Sequence, residues 1–100
     1  MKNEIAYQST IGKHATGIRH HNQNIYVRYH ATDVVVFDNE WVKLNNGGHF
    51  TPTTKRRMNQ TSQHFGLGFN VYQKKFTWYV DTPHDGTQRI NDNGHFSFRR

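Results

Sequence analysis

No cysteine occurs among the 100 residues. That absence excludes a disulfide framework, thiolate metal sites and thiol catalysis, and it fits a reducing compartment. Long apolar runs are also missing. No stretch reaches the roughly 18 residues of a membrane-spanning helix, and the opening MKNEIAYQST lacks the apolar centre of a signal peptide, so neither membrane insertion nor classical secretion is expected. Acidic residues are scarce: seven Asp and Glu face 13 Lys and Arg, giving +6 with His neutral and a pI near 9.9. A surface this basic attracts polyanions or an acidic protein face. Apolar residues make up 33% of the chain, below the usual 45–50% or so, yet 14% are aromatic, which predicts a small core built largely from rings. Two prolines and the absence of low-complexity runs argue against a disordered chain, and the length suits one domain.

What is present reads as alternating strands around one helix. Residues 1–24 are polar and rich in His and Asn, and predict an N-terminal arm or an edge strand outside a single domain spanning residues 25–100. IYVRYH (25–30) alternates, with Ile25, Val27 and Tyr29 on one face and Tyr26, Arg28 and His30 on the other. DVVVFD (33–38) is β-branched and nearly continuous, as in a central strand. WVKLNN (41–46) follows after a hairpin-length gap that lacks the glycine of the best turns. Thr51-Pro52-Thr53-Thr54 supplies hydroxyl caps and a first-turn proline for a helix running from about Thr54 to Phe65, with Gly66 as its stop. FNVYQ (69–73) and FTWYV (76–80) predict a second hairpin around Lys74 and Lys75, and HFSFRR an additional terminal strand. The fold expected is α+β: a mainly antiparallel sheet of five to six strands in the order βββ-α-ββ, with the helix packed on it. A small barrel-like sheet capped by the helix is the rival. Both bury Val34, Val36, Leu44, Met58, Phe65, Val71 and Trp78.

The run YHATDVVVFDNEWVKLNNGGHFTPTTKRRMNQ, with VYQKKFTWYV after it, resembles a group of small proteins of tailed bacteriophages. Their pattern is Tyr-His-x-Thr, Leu-Asn-x-Gly-Gly, Thr-Thr-Lys-x-Arg-Met-Asn-Gln, Val-Tyr-Gln-Lys and Trp-Tyr-Val. The likeness covers residues 29–80, with His49 where that pattern has an aromatic residue such as Trp. It implies a phage setting in the cytoplasm of an infected bacterial host and carries no activity with it.

The site residues are read from the basic helix start. Lys55, Arg56 and Arg57 stand where the helix dipole is already positive, each unfavourable by about 0.3–1 kcal/mol and less when solvated. Docked against an anion they become favourable: free backbone N–H groups, the Thr51, Thr53 and Thr54 hydroxyls and the three cations predict a phosphate seat. The plainer alternative is that the three side chains simply solvate a helix surface. Arg28, Lys43, Lys74, Lys75, Arg89, Arg99 and Arg100 could extend a basic stripe, and Tyr26, Tyr72 and Tyr79, alternating with core positions, would offer faces on which bases stack. Outward tyrosines are also common in small sheets simply because tyrosine forms strands well.

Eight histidines occur without His-x-x-x-His spacing, so no metal site is expected, and no cofactor motif is present. Ser9, Ser62 and Ser97 lack the surroundings of a nucleophile, and Asp81, His84, Asp85 and Arg89 read as a turn rather than an acid–base cluster. The expectation is a non-enzymatic accessory protein binding a polyanion, above all nucleic acid. The alternative is a protein-binding inhibitor that meets a host defence complex, as anti-CRISPR proteins do.

Overall fold

The computed structural model describes residues 16–100. Eight strands and one helix follow one another as β1 (Thr16–His21), β2 (Asn24–Tyr29), β3 (Thr32–Phe37), β4 (Trp41–Asn45), α1 (Pro52–Phe65), β5 (Asn70–Lys74), β6 (Thr77–Thr82), β7 (Gly86–Arg89) and β8 (His95–Arg99). The class is α+β and all pairing is antiparallel, but the strands form two sheets rather than the one expected. The larger sheet has the order β1-β2-β3-β4-β8 and the smaller the order β5-β6-β7. Pairing of the last strand with β4, across the 49 residues between Asn45 and His95, is what closes the larger sheet (Val42 opposite Phe98, Leu44 opposite Phe96).

Each hairpin has a local cause. Between β3 and β4 the Asp38 carboxylate accepts the N–H groups of Glu40 and Trp41, both at 2.8 Å, and so does the work for which a glycine is usually needed. Those two backbone donors hold the Asp38 carboxyl below the ordinary carboxylate range. Within β2–β3 a bulge lies at Val27/Arg28, so that Val27 pairs with Val35 and Arg28 with Asp33. Val34 is the extra residue, and it and Val35 are both buried. This one-residue shift sends Val36, expected in the core, to the outward face opposite Tyr26 and Lys43. The turn after β5 is also displaced by one residue: it consists of Lys75 and Phe76, leaving Lys74 in the strand.

The helix begins as the sequence predicts. Thr51 is its N-cap, with the hydroxyl accepting the Thr54 N–H at 3.3 Å, Pro52 opens the first turn, and Gly66 closes it at φ 66°. Met58, Thr61 and Ser62 are buried, while Phe65 lies half-buried against Phe37. The helix also covers the open edge of β5. Asn59 donates from Nδ2 to the Val71 carbonyl (2.9 Å) and accepts the Val71 N–H (2.7 Å), so one side-chain amide stands in for a neighbouring strand. Ser62 treats Phe69 in the same way, donating to its carbonyl at 2.7 Å and accepting its N–H at 2.9 Å. A single core joins both sheets and the helix, with Phe69 packed edge-on against Phe98 and Trp78 at its centre. Of the seven core residues expected, Val34, Leu44, Met58, Val71 and Trp78 are fully buried.

Residues 16–21 of the predicted arm thus form the edge strand β1, and the rest of that arm lies outside the described residues.

Candidate nucleic-acid interface

Successive α-helical residues are rotated by about 100°, so three in a row cannot share a face. Lys55 leans toward the smaller sheet, where its ammonium donates to Gln73 at 3.1 Å and lies 5.5 Å from the Trp78 ring centroid. Arg57 turns the other way and is only 8% exposed. Its Nε donates to the Thr16 hydroxyl (2.9 Å), Nη1 donates to Gln60 (3.2 Å), and the guanidinium lies 5.5 Å from the Tyr29 ring centroid. Arg56 alone of the three is exposed. Thr54 is buried and shares a hydroxyl hydrogen bond with Thr51, while Thr53 is half-buried. The three cations therefore diverge and do not form the cluster expected at the helix start.

The other candidates fall into two groups. Tyr72 and Tyr79 stack at 5.7 Å on the outward face of the smaller sheet, facing away from Val71 and Trp78 as the alternation predicts. Lys74 shares that face, and Arg89 joins it opposite Tyr79. Lys75 sits in the adjoining turn. Tyr26 and Arg28, by contrast, lie on the outward face of the larger sheet.

That second face brings three cations of the candidate stripe, Arg28, Lys43 and Arg99, together with Arg19, which sequence reasoning did not single out. The register places Arg19 opposite Tyr26, Arg28 opposite Asp33, Lys43 between Val36 and Ser97, and Trp41 opposite Arg99. All of these side chains project from one side, and none of the residues on it is buried. Arg19 lies 4.5 Å from the Tyr26 ring centroid and Arg99 5.6 Å from that of Trp41, which is 39% exposed. Each guanidinium thereby lies over an aromatic ring, within cation–π range. Among the described residues, the carboxylate set within the strands of this face is Asp33, which takes two hydrogen bonds from Arg19 (3.0 and 3.1 Å) and one from Arg28 (3.2 Å); a second, Asp38, stands at the β3–β4 end, close enough to feel the Lys43 charge. Partial burial raises the Asp33 carboxyl, and the hydrogen bonds from Arg19 and Arg28 outweigh it, so the group stays ionised well below its usual range. Among the described residues, four cations on the strands meet Asp33 between them and Asp38 at the β3–β4 end. The signal was available in the sequence only after the pairing of β4 with β8 is known, because Arg99 and Trp41 are 58 positions apart.

The residues weighed as an acid–base cluster are engaged separately. Asp81 accepts from the Thr87 hydroxyl, His84 reaches the Arg100 carbonyl, and Arg89 pairs with Asp92. No group of three metal-ligating side chains occurs among the described residues. No helix among them is long and apolar enough to cross a membrane.

No curated protein and no solved structure matches this chain. A protein-family model does, over residues 1–98, an extent that includes the polar N-terminal segment outside the likeness read from the sequence. The chain belongs to the family described as Kyanoviridae Gp96 protein, a family of bacteriophage proteins.

Proposed function

We propose that this phage protein is a non-enzymatic, single-strand nucleic-acid binder acting in the host cytoplasm, and that the outward face of the five-stranded sheet is its binding surface. The observation that carries the reading is the composition of that face among the described residues: Arg19, Arg28, Lys43 and Arg99 interleaved with Tyr26 and Trp41, against Asp33 within the strands and Asp38 at the β3–β4 end. Cations neutralise phosphates and aromatic or guanidinium planes stack on bases, and a flat sheet presents both to an unpaired strand. Tyr26 and Trp41 lie two strands and two residues apart, roughly 12 Å from strand geometry, so they engage different bases rather than clamp one. Arg19 and Arg28 already hold Asp33, which fixes their direction without cancelling both charges. Lys55, Arg56, Lys74, Lys75, Tyr72 and Tyr79 lie off this face, and the four cations among them add to the general positive field.

Fluorescence anisotropy with a labelled single-stranded oligonucleotide tests the reading. With three to four phosphates neutralised, raising salt from about 50 to about 200 mM should weaken binding about 20- to 50-fold. No binding to DNA or RNA at the lower salt would refute it.

A second reading, an inhibitor docking on a host defence complex, is favoured by one feature. Phe76 is 94% exposed at the tip of the β5–β6 hairpin, flanked by Lys74 and Lys75. An exposed aromatic anchor of this kind suits a pocket on a protein partner. Pull-down from nuclease-treated host lysate separates the two, since a protein partner survives that treatment and a nucleic-acid bridge does not.

A further inference from the structure

On the opposite side of the larger sheet, a cavity of about 370 Å³ opens between the β2–β3 turn, the loop after β4 and the first turn of α1. Its size falls at the lower end of ordinary small-molecule sites. It is separate from the sheet face described above: its walls come from Tyr29, Ala31 and Val34, and its floor from Asn46 and Thr54.

Asn46 makes this cavity more than a packing gap. The residue is 1% exposed, and three of its polar groups are satisfied within the loop. Its N–H donates to the Gly94 carbonyl (3.1 Å), its carbonyl accepts the His49 N–H (2.9 Å), and Oδ1 accepts the Gly48 N–H (2.9 Å). The last contact fixes which end of the amide is oxygen. Nδ2, with two N–H groups, has no partner among the described residues. A buried amide donor left unpaired is costly and rare, and calls for an acceptor from beyond the described residues. Gly94 holds the amide in place: a Cβ there would collide with the Asn46 side chain, and φ is 83°.

The remaining polar lining has the same sign. Thr51 and Thr54, which cap the positive end of α1, share one hydrogen bond between their hydroxyls, so a second hydroxyl hydrogen is left to donate. The first helical turn contains no acidic residue, and among the described residues no Asp or Glu lines the cavity. Two imidazoles, His30 and His49, stand at its wall. An amide donor, a hydroxyl and a helix N-terminus together favour an anionic oxygen group. The ring of Tyr29 and the side chains of Val34 and Ala31 favour an apolar body attached to it.

We infer that this cavity is a binding site for a small organic anion, with a phosphate or carboxylate head on Asn46 Nδ2 and the start of α1 and an apolar body against Tyr29 and Val34. Neither the family assignment nor the polyanion surface implies it, and it stands or falls separately from that reading.

Titrations followed by ¹⁵N amide NMR on the full chain test it, with four probes: phenyl phosphate, adenosine monophosphate, benzoate and the neutral benzyl alcohol. The first two present a phosphate and the third a carboxylate, so the head preferred is read directly. At least one anion should saturate with a Kd below about 1 mM and shift the Asn46 side-chain and Thr54 signals, and benzyl alcohol should bind at least tenfold more weakly. Asn46→Asp keeps the acceptor for Gly48 while replacing the donor with a repelling oxygen, and should lose the binding at least tenfold. Ala31→Trp, which narrows the mouth from an exposed position, should do the same and keeps the test valid if the first variant does not fold. Equal affinity for benzyl alcohol, binding unchanged in Ala31→Trp, or no saturable shift with any anion would each overturn the inference, and the last would assign the Asn46 donor to trapped water.

Discussion

At the scale of single residues, the run Lys55-Arg56-Arg57 shows how like side chains acquire unlike roles. The charges are plain in the sequence, and so is the helix that carries them. The angle between successive helical positions then separates them, and burial differs accordingly: Arg57 packs on Tyr29 with its Nε on Thr16, Lys55 settles over Trp78, and Arg56 stays in solvent. Arg57 meets no carboxylate among the described residues. A buried cation satisfied only by neutral partners is usually replaceable by an apolar side chain of similar length at little cost. Arg57→Met should therefore unfold within a few degrees of the parent or above it, whereas Arg57→Ala should lose about 1–3 kcal/mol of stability through lost packing. Thermal melts of the two variants decide this, and a Met variant as unstable as the Ala variant would show that the charge itself is required.

Single elements were legible where one face is apolar and the other polar. β2, β3, β4, β6 and the helix all follow from period-two or helical spacing together with Thr51 and Gly66, and their ends fall within about two residues of the expectation. β7 was less legible because GTQR has no apolar residue to mark a face. β1 was obscured by a polar segment in which Ile18 alone is buried. The bulge in β3 is invisible in a run of three valines, since each has the same preference, and only the pairing partner decides which one points outward. The β5–β6 hairpin conflicts with its own sequence. Lys75 and Phe76 sit at φ 50° and 68°, values suited to Asn-Gly and unfavourable for a bulky ring. Replacing the pair by Asn-Gly should raise stability by about 1–2 kcal/mol, visible as a shift of several degrees in the melting midpoint. A loss of stability would mean that the Phe76 ring contributes to the fold despite its exposure.

For the whole molecule, what the sequence could not convey is which strands become neighbours. Local patterns specify faces, but the joining of β8 to β4 and the separation of β5, β6 and β7 into a second sheet are decided by long-range burial of Phe98, Phe69 and Trp78. That topology leaves one sheet face covered by the helix and the smaller sheet, and the other open. On the open side it assembles Arg19, Arg28, Lys43 and Arg99 from four different strands, whereas the cations adjacent in sequence are dispersed. Tyr26 and Arg28 were anticipated as binding residues and Lys43 and Arg99 as cations of a candidate stripe; Arg19 and Trp41, and the grouping of all six on one face, emerge only from the sheet order. The most direct test compares two charge-matched variants for oligonucleotide affinity at low salt: Arg19→Gln, Lys43→Gln, Arg99→Gln against Lys55→Gln, Arg56→Gln, Lys74→Gln. The sheet-face variant should bind at least tenfold more weakly than the parent, and the other should stay within about threefold of it. Equal losses would reduce the interaction to net charge, and a larger loss in the second variant would return the site to the helix.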